Sequence, residues 1–155
     1  MAGLFINGAV DDASVKAFDE LENSVKSLIN AAIEARKHAY CPYSKFAVGA
    51  AIQTDDGHIY TGSNIENGAY SASLCAERVA VAKAVSEGKR QIAAVAVVGL
   101  QENSFTTPCG LCRQFLMEFA KTDFPIYVAK PINPPLRVLC TSISQLLPKS
   151  FKLDF

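Results

Sequence analysis

Cys75-Ala76-Glu77 and, further along, Pro108-Cys109-Gly110-Leu111-Cys112-Arg113-Gln114 hold the residues of this chain best equipped for chemistry. The first segment offers a thiol two residues from a carboxylic acid, and the second offers a Cys-x-x-Cys pair. Thiolates suit zinc, which needs no change of redox state. Three of them leave one corner of a tetrahedron open to water, and water on such a site ionises near neutral pH. Glu77 beside that corner is placed to carry protons. The pattern therefore points to hydrolysis at a Cys75, Cys109, Cys112 zinc site.

Two plainer readings compete. A glutamate in a first helical turn is favoured by the helix dipole alone. Three cysteines can belong to a structural zinc site, but such sites normally use four protein ligands. The remaining donors, Cys41, His38 and His58, sit at no ligand-like spacing. The three-ligand count favours catalysis, and Cys41 and Cys140 read as small buried hydrophobes.

Three thiolates and one Zn²⁺ carry a net charge of −1, which makes bound water less acidic than on neutral ligands. Arg78 and Arg113 directly follow Glu77 and Cys112 and are placed to offset that charge by bonding to sulfur.

The elements that must position these groups follow from periodicity. Phe18, Leu21, Val25, Leu28, Ile29 and Ala32 recur at helical spacing and predict one long helix from Ser14 to His38. The segment Cys41-Pro42-Tyr43-Ser44 ends it. Residues 46–54 and 59–64 read as strands joined by a turn at Asp55-Asp56-Gly57. A helix is predicted from Cys75 to Glu87, stopped by Gly88. Residues 93–100 are almost wholly apolar, as in a strand covered on both faces. Another helix starts at Cys109 or Gly110. Strands at 126–129 and 136–140 and a short helix at 142–147 complete the order. The expected fold is α/β, a three-layer α/β/α sandwich around one mixed five-stranded sheet. Residues 1–13 read as an N-terminal extension and 14–155 as a single domain. Both cysteine motifs fall at helix N-termini, where the dipole and free N–H groups favour thiolates.

Composition narrows the partners. The chain has 155 residues, half of them hydrophobic, and 15 basic residues balance 15 acidic ones. That is enough apolar residue to build one core. Zero formal charge and no run of basic residues argue against nucleic acid or an anionic membrane and suit a small neutral ligand. No signal-peptide pattern or membrane-length apolar run is read, so a soluble, cytoplasmic protein with reduced thiols is expected.

The Cys-Ala-Glu-Arg and Pro-Cys-Gly-x-Cys-Arg-Gln elements, at 75–78 and 108–114, resemble those of the small, homotetrameric, zinc-dependent cytidine deaminases. The resemblance runs from about Ala32 to Phe151. Cysteine at position 75, where polynucleotide editors and deoxycytidylate deaminases carry histidine, sets the chain apart from them. The resemblance implies one Zn²⁺ per subunit and hydrolytic deamination of cytidine and deoxycytidine in pyrimidine salvage. Zinc-activated water adds at C4 of the base while Glu77 protonates N3 and then the departing amine. In Tyr40-Cys41-Pro42-Tyr43-Ser44-x-Phe46, it implies that Phe46 stacks on the pyrimidine. In Asn64-Ile65-Glu66-Asn67, it implies that Asn64 and Glu66 bind sugar hydroxyls. Their i, i+2 spacing independently puts them on one face of an extended chain. A carboxylate there disfavours a 5′-phosphate, hence a nucleoside rather than a nucleotide. The backbone N–H of Ala76 is implied to contact the base carbonyl. Tyr70 and Phe151 are implied to reach a neighbouring subunit's site in a shared-site tetramer.

The rivals are another small-molecule deaminase with the same ligands, such as a blasticidin S deaminase, a non-catalytic zinc module, and a nucleic-acid editor. Phe46 and Asn64-x-Glu66 favour cytidine over the first. The second predicts four ligands, and the third needs a basic groove.

Overall fold

The computed structural model describes residues 12–132 and 136–153. The expected N-terminal extension, residues 1–13, lies almost wholly outside the described residues. Six strands form one sheet: β1 (Val15–Ala17), β2 (Val48–Thr54), β3 (Ile59–Ser63), β4 (Ile92–Gly99), β5 (Pro125–Ala129) and β6 (Arg137–Ser142). Their order is β1-β6-β5-β4-β2-β3. Only β4 and β5 run parallel, and every other neighbouring pair is antiparallel. The helices are α1 (Asn23–Arg36), α2 (Ala76–Ser86), α3 (Gly110–Glu118) and α4 (Ile143–Leu146).

The alternation of β4 explains the three layers. Val95 and Val97 point to one face and join Ala80, Val81, Leu116 and Ile143 of α2, α3 and α4. Ala94, Ala96 and Val98 point to the other and meet Leu28, Ile29, Ala32 and Ile33 of α1. A strand covered on both faces must be apolar throughout, which is why residues 93–100 show no polar alternation.

The sheet has six strands, not five, and the long helix predicted over 14–38 is shorter. Val15–Ala17 pairs with Arg137–Leu139 instead of starting a helix. Phe18–Glu20 makes a 3₁₀ turn, and α1 begins only at Asn23. Phe18 and Leu21 still pack in the α1-side core. Apolar spacing reports which residues face the core, and here a strand and a turn supply that facing before the helix does. Leu136 C=O accepts from Phe18 N at 3.2 Å, tying the turn to the start of β6.

Two glycines set how close the layers come. A Cβ at Gly49 would lie 2.0 Å from Ala32 O of α1, and one at Gly62 would lie 2.4 Å from Ala76 O of α2. The helix that follows Cys75 is therefore seated directly on β3. Gly57 and Gly88 take left-handed φ values of 86° and 82°, ending β2 and α2 as their types predict.

Candidate metal centre and active site

Cys75 and Cys109 are the N-caps of α2 and α3, and Cys112 lies in the first turn of α3. The α2 and α3 N-termini converge so that the three Sγ atoms all lie within 4.8 Å of one another. The Cys75 and Cys109 sulfurs are 4.0 Å apart. A tetrahedral zinc with Zn–S bonds of about 2.3 Å needs sulfurs about 3.8 Å apart. Donor type, number and spacing therefore all fit zinc. Among the described residues this is the one cluster of three such donors able to hold a metal.

Cys112 is fully buried, Cys75 half-buried and Cys109 exposed, so the cluster opens to solvent on one side. Without metal, the Cys75 thiol is pulled down to about 5, first by a hydrogen bond from Cys112 and then by Arg78. Cys112 is driven upward by the same bond, by burial and by the charge of Glu77. Zinc, which binds thiolates, would take the place of that proton.

Glu77, in the first turn of α2, is only 4% exposed. Burial raises its carboxyl above the ordinary range, and the Cys75 charge adds to this. A carboxyl so placed holds a proton more readily than a surface glutamate.

The two arginines part company. Arg78 Nη2 lies 3.7 Å from Cys75 Sγ and donates to Ser73 O at 3.0 Å, as the charge argument expects. Arg113 is not on sulfur. It donates to Pro108 O at 2.7 Å, Leu146 O at 2.9 Å and Thr107 Oγ1 at 3.2 Å. Its fork clamps the loop that delivers Cys109 to the end of α4. The reason is geometric: successive helical residues point about 100° apart, so a residue after Cys112 looks away from the metal.

The segment 64–66 runs between two others. Ile65 bridges Leu74 on one side and Tyr40 on the other, which brings Asn64 and Glu66 beside the approach to Cys75. Asn64 Oδ1 accepts from Val48 N at 2.8 Å, and its Nδ2 donates to Phe46 O at 2.9 Å. Glu66 Oε2 accepts from Tyr43 N at 2.9 Å and Ser44 N at 3.2 Å, while Oε1 accepts from Ser44 Oγ. The Ser44 hydroxyl first, then the two backbone N–H groups, hold the Glu66 carboxyl below its usual range. Both side chains thus reach the 43–48 segment, as the i, i+2 spacing requires. Phe46 lies outside the β2 ladder and is partly buried.

Ala76 is fully buried at the first position of α2, where the N–H has no intrahelical partner. Tyr70 and Phe151 are 77% and 67% exposed. The Tyr70 ring meets Tyr43 edge-on at 6.1 Å, and Phe151 C=O accepts from Gln114 Nε2 at 2.9 Å. Sequence reasoning gave no role to Ser44 and the wrong partner to Arg113.

Residues 22–128 match the model of the cytidine and deoxycytidylate deaminase zinc-binding region. A cytidine deaminase of Sporosarcina psychrophila is 47% identical over 130 residues, spanning 84% of this chain and 93% of that protein. The crystal structure of cytidine deaminase from Burkholderia pseudomallei superposes with a TM-score of 0.74 at 42% identity, covering 81% of this chain and 97% of that one. A blasticidin-S deaminase of Bacillus cereus is more distant, 28% identical over 115 residues covering 70% of this chain and 79% of that protein. With three cysteine sulfurs at two helix starts, a buried glutamate two residues from the first, and this match over most of its length, the chain belongs to the zinc-dependent cytidine deaminase family.

Proposed function

We propose that this chain removes the 4-amino group of cytidine and deoxycytidine by hydrolysis, yielding uridine or deoxyuridine and ammonia. The observation that carries this reading is the buried Glu77 beside a three-thiolate cluster with one open side. Cys75, Cys109 and Cys112 would hold zinc, which supplies an ionisable water as the nucleophile. Glu77 accepts the proton that water gives up, passes it to N3 of the base, and serves the departing amine in the same way. Its raised pKa suits a group that must hold a proton between these transfers.

Phe46 offers a ring to the pyrimidine face, and the Ala76 N–H offers a donor to the base carbonyl. Asn64 and Glu66 take the sugar. A carboxylate has about four acceptor positions, and three of those on Glu66 are filled from its own chain. Asn64 has likewise used one acceptor position and one donor. What remains suits a neutral hydroxyl, and the carboxylate repels a phosphate.

Tyr70 and Phe151, both largely exposed, would be covered by neighbouring copies in a homotetramer with shared sites. Leu74, Leu111 and Phe115, exposed beside the cysteines in sequence, extend the apolar surface such an assembly needs. All five cysteines are unpaired, which fits a reducing cytoplasmic setting. No described helix is long and apolar enough to cross a membrane.

The test is ultraviolet absorbance of zinc-loaded protein mixed with cytidine, with blasticidin S in parallel. A shift to the uridine spectrum is expected. It should vanish in Glu77→Ala while zinc stays bound. Turnover of blasticidin S alone, or full activity in Glu77→Ala, would overturn the reading.

A further inference from the structure

Phe46 is held by side chains at both its backbone N–H and its backbone C=O. Its N–H donates to Ser44 Oγ at 3.0 Å, and its C=O accepts from Asn64 Nδ2 at 2.9 Å. The residue between, Lys45, holds a left-handed φ of 58°, an uncommon conformation for a residue with a side chain. A turn in that conformation persists where its surroundings hold it. Here Lys45 N donates to Cys41 O at 3.1 Å on one side, and Ser44 holds the other. Its hydroxyl donates to Glu66 Oε1 and accepts from Phe46 N, so one oxygen joins the Glu66 carboxylate to the Phe46 backbone. Glu66 Oε2 completes the grip by accepting from Tyr43 N and Ser44 N.

We infer that Ser44 is a positioning residue, its hydroxyl fixing Phe46 and Glu66 relative to each other so that base face and sugar hydroxyl are met together. Ser44 touches neither reacting atoms nor metal. Without its hydroxyl, Glu66 Oε1 is free to turn toward water, and the 44–46 turn loses the acceptor that closes it. The consequence is a substrate site whose two halves move independently. Binding suffers, while the cysteine cluster and Glu77, on other elements, are left alone. The kinetic side of this inference rests on the cytidine reading above; the structural side does not.

The experiment compares Ser44→Ala and Ser44→Thr with the unaltered protein. Hydrogen exchange of the 43–48 peptide, followed by mass spectrometry without substrate, should speed up in Ser44→Ala and return toward normal in Ser44→Thr, which restores the hydroxyl. For cytidine, Ser44→Ala should raise KM about tenfold, the loss of one hydrogen bond to a charged group, with kcat within about threefold and zinc unchanged. A purely structural role would lower the active fraction and the melting temperature without moving KM. Unchanged exchange in Ser44→Ala, or a loss confined to kcat, overturns the inference. Should Ser44→Ala not fold, Ser44→Cys, with a weaker donor of similar shape, carries the same comparison and the same expected split. Faster exchange in a protein that ignores cytidine would uphold the Ser44 linkage and reject the substrate reading instead.

Discussion

Gly62→Ala is a one-methyl change, yet it should reach the chemistry. Gly62 lies on β3 under the start of α2. Its added Cβ would sit 2.4 Å from Ala76 O, 2.6 Å from Ala80 N and 3.0 Å from Val79 Cβ. Two of these are backbone atoms of the helix, so no side chain can rotate out of the way. Ordinary contact begins at 3.4 Å, so α2 must withdraw by about 1 Å at its first turn. Ala76 is flanked by Cys75 and Glu77, and both move with it. A misplacement of about 1 Å in a catalytic constellation can cost roughly 100-fold. Overpacking of this kind also destabilises by about 1–3 kcal/mol, roughly 2–12 °C in melting temperature for a chain of this size.

The assay is kcat/KM for cytidine normalised to bound zinc, with a thermal melt of the same sample. The expected result is a fall of about two orders of magnitude in kcat/KM together with a lower melting temperature. A lower melting temperature with kcat/KM per zinc unchanged would mean that α2 yields without carrying Cys75 and Glu77, refuting the claim that β3 seats the site. No change in either would refute the close packing itself.

Three further outcomes follow from the same geometry. Arg78→Gln removes the guanidinium beside Cys75 Sγ, and zinc affinity measured by chelator competition should fall; affinity and rate both unchanged would reject the charge-offset role. Arg113→Lys cannot reproduce a fork on Pro108 O, Leu146 O and Thr107 Oγ1 and should cost about 2–3 kcal/mol, the worth of two lost bonds, read as a lower thermal midpoint, whereas a midpoint within 1 °C would contradict the clamp. Asp56 accepts from Lys89 and Thr54, which hold its carboxyl well below the ordinary value of 3.8. A depressed folded-state pKa gives stability that is present above the unfolded value and fades as pH falls toward the folded one. Melting temperature should therefore drop with acid below about pH 4, and less steeply in Asp56→Asn; identical slopes would deny Asp56 its part.

The strands and helices that carry the site were legible because each has a one-dimensional signal. The apolar run of β4, the turn at Asp55-Asp56-Gly57 and the stop at Gly88 all appear within 2 residues of their predicted places. The start of the chain misled because Phe18 and Leu21 extend the helical stripe of Val25, Leu28, Ile29 and Ala32 although Phe18 lies in a 3₁₀ turn, Leu21 caps that turn, and Val15–Ala17 before them is a strand. Nothing local marks the difference. Val15–Ala17 is a strand because Arg137–Leu139, more than a hundred residues later, offers it an edge to pair with. A pairing of that separation is a tertiary fact that propensity does not contain.

The site divides along the same line. Reactive groups announce themselves by type, so the three cysteines and Glu77 could be named before any fold was known. The groups that hold things in place do not, because most of their partners are backbone atoms without identity in the sequence. Arg113 read as a neighbour of sulfur and instead serves two oxygens of the loop before Cys109 and one at the end of α4. Ser44 read as one letter of a motif and instead closes a turn around Phe46. Asn64 and Glu66 read as ligands for a sugar, yet five of their polar contacts are to their own chain. A polar residue near a reactive centre therefore has two possible customers, substrate and backbone, and only the geometry divides its capacity between them. For Glu66 the division leaves about one acceptor position free. Glu66→Gln should therefore weaken the 43–46 turn and the proposed sugar contact together, because its one carbonyl oxygen can accept from Tyr43 N and Ser44 N or from Ser44 Oγ but not from all three, and its N–H₂ accepts from none of them. Ser44→Ala should loosen the turn while leaving the carboxylate in place. If the two variants raised KM equally and sped exchange of the 43–48 peptide equally, Glu66 would act on substrate only through the turn. A larger KM effect in Glu66→Gln at equal exchange would isolate its direct contact with the sugar.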